Sequence, residues 1–186
     1  MRNKRSYFKH FLKEKKMIGS ISPSSTYLAE KMLENVDFEN SKTIIEIGPG
    51  TGVFTKKIIE KLSPDCKFIV FELNTTFYES LHSEISDPRV ILINDSAENL
   101  NKHLIKLGLT NTDFILSSLP LSNFPLRFIV RLLKQFNAAL TSNGKYIQFQ
   151  YSLGAKGIIE RNFSNVEISF TPLNLPPAFI YTCSKK

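Results

Sequence analysis

The stretch IIEIGPGTGVF, residues 44–54, limits the fold more than any other part of the chain. A continuous apolar run suits a strand covered on both faces. Here it runs into Gly48, Gly50 and Gly52, at every second position, just where the pattern opens into a helix. Glycines remove side chains where the backbone must bend sharply or where something must lie close to it. A strand feeding such a bend belongs to a parallel, doubly wound sheet, which holds ligands beyond the carboxyl ends of its strands.

The rest of the chain agrees. From Thr43 onward strand and helix patterns alternate, predicting strands at 43–47, 67–72, 90–94, 113–117, 144–150, 165–170 and 178–183. Helices are predicted near 52–62, 75–85, 97–107, 125–140 and 155–161. The first strands (TIIEI, KFIVF, VILIN, DFILS) are apolar throughout, which argues for an α/β, doubly wound, mostly parallel seven-stranded sheet with helices on both sides. The Pro-rich TPLNLPP before the seventh strand predicts a hairpin and an antiparallel last strand. The 186 residues suit one domain: a basic amphipathic helix in 1–16, a helical segment in 17–42 with Ser22 or Ser24 as N-cap, and a Rossmann-like core in 43–186. No apolar run approaches the ~20 residues of a membrane-spanning helix, and no signal peptide is expected.

Charge is informative by its location. Residues 1–16 hold Arg2, Lys4, Arg5, Lys9, Lys13, Lys15 and Lys16 against Glu14, a net +6 out of +7 for the whole chain. A basic segment on a near-neutral body points to an anionic partner surface, either acidic lipid or phosphate backbone. Cys66 and Cys183 read as ordinary thiols of a cytosolic protein. No metal site is expected. His10, His82 and His103 fall on predicted helices away from strand ends and read as surface or packing residues.

The ligand of the bend follows by elimination. A P-loop needs Lys-Ser or Lys-Thr after its last glycine, and Val53-Phe54 stands there. A dinucleotide fingerprint prefers G-x-G-x-x-G, and position 53 is Val. Glu46, in the mouth of the loop, would repel a pyrophosphate and welcome a cationic ligand. Glu72, ending the second strand, is placed to accept from ribose hydroxyls. Asp95, ending the third, can accept from an exocyclic adenine amine, with the N–H of Ser96 or Ala97 meeting a ring nitrogen. An adenosine with a positive, phosphate-free tail describes S-adenosylmethionine.

IIEIGPGTG, FEL, NDSAEN and FILSSLPL resemble the first four motifs of the class I S-adenosylmethionine-dependent methyltransferases, a resemblance covering about residues 43–151. It implies cofactor binding by Glu46, Gly48, Pro49, Gly50, Thr51, Gly52, Glu72, Leu73, Asp95, Ser96, Ala97 and Ser117. Catalysis falls to Ser118, Leu119 and Pro120, whose loop follows the fourth strand. Enzymes that methylate the exocyclic amine of a base place Asn or Asp, Leu or Pro, Pro and an aromatic in this loop. Ser118 stands where the amide would be and Leu121 where the aromatic would be. A base would lose a hydrogen-bond partner and a stacking partner, each worth roughly 1–3 kcal/mol.

IGSISPSSTYLAEKM, SSLPLSNFP and NLPPAFIYT, with the basic helix, are similar to the bacterial phospholipid N-methyltransferases of the phosphatidylethanolamine type. That resemblance implies a phospholipid amine as acceptor and a cytoplasmic protein held peripherally on the inner face of the membrane. Arg5, Phe8, Lys9, Phe11, Leu12, Lys13 and Lys16 would form the interfacial helix. Ser24 and Ser25 either meet the methionine end of the cofactor or cap a helix. Tyr151 either lines the acceptor pocket or joins the core. RNA is the alternative partner, since the ribosomal RNA adenine dimethyltransferases share the glycine bend and the strand-two Glu. Against it stand Ser118 and Leu121, and no helical RNA-binding domain is expected after the seventh strand.

Overall fold

Apolar runs such as TIIEI and KFIVF are too hydrophobic on both faces to border water, and they lie within a set of five parallel strands at the centre of the molecule. The computed structural model describes residues 24–186. The helix expected in 1–16, with the residues expected to meet a membrane, and the first part of the 17–42 segment lie outside the described residues. The strands are β1 (Thr43–Ile47), β2 (Lys67–Phe71), β3 (Val90–Ile93), β4 (Thr112–Ser117), β5 (Leu140–Gln150), β6 (Ser164–Thr171) and β7 (Ala178–Ser184). They form one sheet in the order β3-β2-β1-β4-β5-β7-β6. β1 to β5 are parallel, and β7 runs antiparallel to both neighbours, β5 and β6.

The helices are α1 (Ser24–Leu33), α2 (Val53–Lys61), α3 (Thr75–Glu84), α4 (Leu100–Lys106), α5 (Leu126–Ala139) and α6 (Lys156–Asn162). On one face of the sheet Leu28, Ala29 and Met32 of α1 and Phe54 and Ile58 of α2 pack on Ile44, Phe68, Val70 and Ile147. On the other, α5 buries Ile129, Leu132, Leu133 and Phe136, the one-sided spacing of an amphipathic helix. They meet Leu100 and Leu104 of α4, Ile158 and Ile159 of α6, and Ile45, Ile69 and Ile115 of the sheet.

Two predicted boundaries move for physical reasons. β5 begins at Leu140 rather than 144: Thr112 pairs with Leu140, the register then shifts, and Phe114 pairs with Lys145. The turn-like TSNG is thus absorbed as an irregularity inside the ladder. Gly144 permits this, since a Cβ there would lie 3.0 Å from the Asp113 carbonyl oxygen. The predicted helix at 97–107 is a 3-10 turn over Ala97–Asn99 followed by α4. The predicted hairpin is present at 172–177, with a cis Leu175–Pro176 bond.

Register positions the site. Ile47 is level with Phe71 and Ser117, Phe71 with Ile93, and Ser117 with Gln148. The ladder runs one residue further: Gly48 N–H donates to Phe71 O (2.9 Å), Glu72 N–H to Ile93 O (3.0 Å) and Ser118 N–H to Ile47 O (3.0 Å). The bend, the two strand-end carboxylates and the loop after β4 (residues 117–121, the candidate acceptor loop) therefore share one edge.

Candidate active site at the carboxyl edge

The glycine bend needs glycine. Gly48, Gly50 and Gly52 have φ of 72°, 60° and 82°, a left-handed region that other L-residues enter at a cost. Gly52 N–H closes the turn on Pro49 O at 3.1 Å, and Lys56 N–H donates to Gly52 O at 3.0 Å as α2 starts. A Cβ on Gly52 would lie 2.5 Å from Leu81 Cδ2 of α3, so the bend also serves helix packing. A Cβ on Gly48 would sit 3.4 Å from Leu119 Cδ2, which brings the bend against the acceptor loop.

The carboxylates are held by donors of the protein itself. Glu46 is buried beneath the bend, and its Oε2 accepts from Thr55 Oγ1 of α2 at 2.7 Å. Glu72, also buried, accepts from Gly50 N–H with Oε2 (3.1 Å) and from Asn74 N–H with Oε1 (2.7 Å). This one side chain ties the bend to the start of α3, which Asn74 caps through Thr76 N–H. Asn94, which sequence reasoning passed over, donates from Nδ2 to Glu72 O at 2.8 Å and braces the same turn. Leu73 lies half-buried beside it.

Asp95 is more crowded than expected. Oδ1 accepts from Ser96 N–H (2.7 Å) and from Asn99 Nδ2 (3.0 Å); Oδ2 lies 3.1 Å from Asn99 Nδ2 and 2.8 Å from His103 Nε2. Burial opposes ionisation here, but the hydrogen bonds from His103, Asn99 and Ser96 outweigh it and hold the carboxyl below its ordinary pKa. Ser96 Oγ caps the 3-10 turn through Glu98 N–H, and Ala97 is buried. The reading of His103 as remote from strand ends is corrected. The helical segment after β3 brings it back to Asp95, and its ring stands edge-on to Phe71 at 5.5 Å. The i, i+4, i+8 spacing of Asp95, Asn99 and His103 carried that signal.

The acceptor loop is built on buried amides. Ser117 is fully buried, and its Oγ accepts from Leu119 N–H at 3.3 Å. Leu119 O receives two donors, Gln148 Nε2 at 3.0 Å and Gln150 Nε2 at 2.8 Å. Both amides also donate to Phe149 O at 2.6 Å, and Tyr146 Oη donates to Gln148 Oε1 at 2.6 Å. Pro120 O accepts from Asn123 N–H at 3.0 Å. Among the loop's side chains before Pro120, Ser117 and Leu119 are buried and Ser118 is half-buried. Leu121 is fully buried in the core beside Phe124, so it offers no face for a base. Tyr151 is exposed, against the core alternative, with its ring edge-on to Phe149 at 5.6 Å. Nothing in the sequence singled out Gln148 and Gln150.

Among the described residues no group of three or more His, Cys, Asp or Glu is placed to hold a metal ion, and no helix is long and apolar enough to cross a membrane.

The chain is similar to known proteins. The family model for ribosomal RNA adenine dimethylase matches residues 1–142. The ornithine lipid N-methyltransferase of Singulisphaera acidiphila is 30% identical over 175 residues, covering 93% of this chain and 91% of that protein. The ribosomal RNA small subunit methyltransferase A of Mesomycoplasma hyopneumoniae is 34% identical over 82 residues, covering 44% of this chain and 30% of that protein. The chain therefore matches under a third of that relative's length. Among solved structures, the 1,6-didemethyltoxoflavin-N1-methyltransferase of Burkholderia thailandensis, determined with S-adenosylhomocysteine, aligns with a TM-score of 0.74. That alignment covers 98% of this chain and 87% of that one at 14% identity, a likeness of fold. The family match runs through the glycine bend, both strand-end carboxylates and the acceptor loop, and on that ground the chain belongs to the ribosomal RNA adenine dimethylase family and is a class I S-adenosylmethionine-dependent methyltransferase.

Proposed function

We propose that the enzyme methylates the amino head group of a membrane lipid, phosphatidylethanolamine or one of its methylated derivatives. The observation that carries this is the acceptor loop. Leu121 faces the core where a base-methylating loop needs an aromatic platform, and Ser118 replaces the amide that would read the base. Similarity to an ornithine lipid N-methyltransferase along nearly the full length of both chains supports a lipid amine.

Each residue then has a role. Glu72 meets the ribose hydroxyls, with Leu73 beside it. Asp95 reads the adenine amine, with Ser96 and Ala97 at the ring. The bend from Gly48 through Pro49, Gly50 and Thr51 to Gly52 lies along the methionine portion, above Glu46 and beside Ser117. Glu46 contributes negative charge under a cationic ligand. When bound, S-adenosylmethionine would supply an electrophilic methyl on a sulfonium: as the neutral amine bonds that carbon the S–C bond would break, S-adenosylhomocysteine would leave, and the ammonium product would lose its proton to solvent. For such an in-line displacement the chain needs no nucleophile of its own; it needs position and exclusion of water. The buried loop from Ser117 to Leu121 provides both, with Ser118 facing the amine and Leu119 and Pro120 walling the path. The basic segment 1–16 holds the protein reversibly on an acidic leaflet at about 1 kcal/mol for each Lys or Arg near the surface.

The second reading, an RNA adenine N6-methyltransferase, is favoured by the family model and by the ribosomal RNA relatives. The experiment is to incubate the protein with methyl-labelled S-adenosylmethionine, vesicles of phosphatidylethanolamine and phosphatidylglycerol, and ribosomal RNA, and to separate the products. Label should enter the lipid fraction. Label confined to RNA overturns the proposal.

A further inference from the structure

Residues 173–175 invert the usual rule of burial. Leu173 is 64% exposed and Leu175 80% exposed, while Asn174 between them is 4% exposed. The asparagine donates from Nδ2 to Pro176 O at 2.6 Å, so the loop spends its polar side chain on itself and turns its leucines to solvent. A single exposed leucine means little. These two have company. β6 and β5 both deliver their carboxyl ends here, since Phe170 and Gln150 each pair with Phe179 of β7. Phe170, Tyr151, Leu153 and Leu126 are exposed at the same edge, and the six together are most of the eight exposed large hydrophobics among the described residues.

The charge is one-sided in the part of this edge formed by the loops after β4, β5 and β6. Segments 118–127, 151–157 and 170–177 contain Arg127 and Lys156 and no Asp or Glu. Both cations are exposed, and Lys156 Nζ lies 3.7 Å from Oε1 of Glu160, one turn further along α6. The loops at the opposite edge mix charges, with Glu34, Asp37, Glu39, Asp65 and Asp87 among them. An apolar rim whose three loops carry two cations and no acid complements the boundary between acyl chains and phosphates. It is also continuous with Ser118 to Leu121, the loop the amine must reach.

We infer that the enzyme docks on the bilayer through this edge, with Leu173 and Leu175 entering the acyl boundary and Arg127 and Lys156 lying at the phosphates. The inference rests on the lipid reading above and deepens it: a head group standing in the membrane plane then faces the acceptor loop without leaving its leaflet.

The chain contains no tryptophan, so one introduced indole reports alone. L175W places it on the rim. I105W places it on α4, at a residue 76% exposed and away from this edge. With vesicles of phosphatidylethanolamine and phosphatidylglycerol, L175W emission should shift to the blue and be quenched by brominated acyl chains, while I105W should respond to neither. The L173D/L175D protein should bind those vesicles at least about tenfold more weakly and keep its affinity for S-adenosylhomocysteine and its unfolding temperature. If the protein sediments with vesicles and methylates lipid while L175W emission stays unchanged, this docking edge is overturned and the lipid reading stands. If the wild type neither sediments with vesicles nor methylates lipid, both fall together. A blue shift on concentrating L175W without lipid assigns the edge to a second copy, and a shift with RNA alone assigns it to nucleic acid; either result overturns the inference.

Discussion

Replacing Gln150 by leucine should separate cofactor binding from methyl transfer. The side chain is buried and donates to Leu119 O at 2.8 Å and to Phe149 O at 2.6 Å. Gln148 donates to the same two carbonyls, so Gln150→Leu leaves neither stranded. At about 1 kcal/mol net for each neutral hydrogen bond, the loss is about 1–2 kcal/mol, or a fall of about 2–8 °C in Tm for a chain of this size. The double change Gln148→Leu/Gln150→Leu removes both amide donors to Leu119 O and Phe149 O and the acceptor of Tyr146 Oη; about 3–6 kcal/mol is expected, with poor additivity. Function should respond more sharply than stability. A Cβ on Gly48 would lie 3.4 Å from Leu119 Cδ2; in the proposed function Leu119 borders the amine, and a displacement of about 1 Å near reacting groups costs about 100-fold. Gln150→Leu should therefore lower kcat for methyl transfer to lipid vesicles by about 10- to 100-fold, while calorimetry with S-adenosylhomocysteine returns the wild-type Kd. Wild-type turnover in a folded Gln150→Leu protein, or cofactor affinity falling in step with turnover, refutes the reasoning.

Three further outcomes test other parts of the structure. Gly52→Ala puts a methyl 2.5 Å from Leu81 Cδ2 at φ 82°; a left-handed alanine costs about 1–2 kcal/mol and overpacking about 1–3 kcal/mol, so urea unfolding should show a loss of about 2–5 kcal/mol, whereas Gly154→Ala, with its Cβ 3.5 Å from Ser152 Oγ, should show almost none. Asp95 has a folded pKa below its unfolded one, so the stability it contributes is present above about pH 4 and is lost as pH falls through the lowered value; Asp95→Asn should flatten that acid limb in urea unfolding measured against pH. Burial pushes the Cys66 thiol up to about 11 and raises Cys183 as well, so neither should react with a thiol reagent at neutral pH until the protein unfolds, and rapid labelling of the native state would contradict their placement.

Much of the fold was legible because its strands are buried on both faces: TIIEI and KFIVF admit little else. The bend was legible because three glycines at alternate positions have a steric reason, and all three take positive φ. β5 was harder. In YIQFQ, Tyr146, Gln148 and Gln150 alternate with Ile147 and Phe149, which reads as a strand with one solvated face. The polar face is instead covered by the acceptor loop, and the glutamines are satisfied by its carbonyls, a tertiary fact that no local pattern carries. His103 was misjudged because helix membership was taken as distance from the strand ends, although the spacing from Asp95 through Asn99 already put the three on one side of a helical segment. The TPLNLPP turn was visible as a turn, but which of its residues face inward depends on Asn174 closing on Pro176, and this cannot be read from hydropathy.

The proposed methyl transfer requires a sulfonium nucleoside held where the glycine bend meets Glu46, Glu72 and Asp95. The most direct test is a calorimetric titration of S-adenosylhomocysteine into the wild type and into Gly50→Val, each checked for cooperative thermal unfolding. The account predicts one binding site in the wild type and none in a folded Gly50→Val protein; no heat with the wild type, or equal affinity in both, contradicts it.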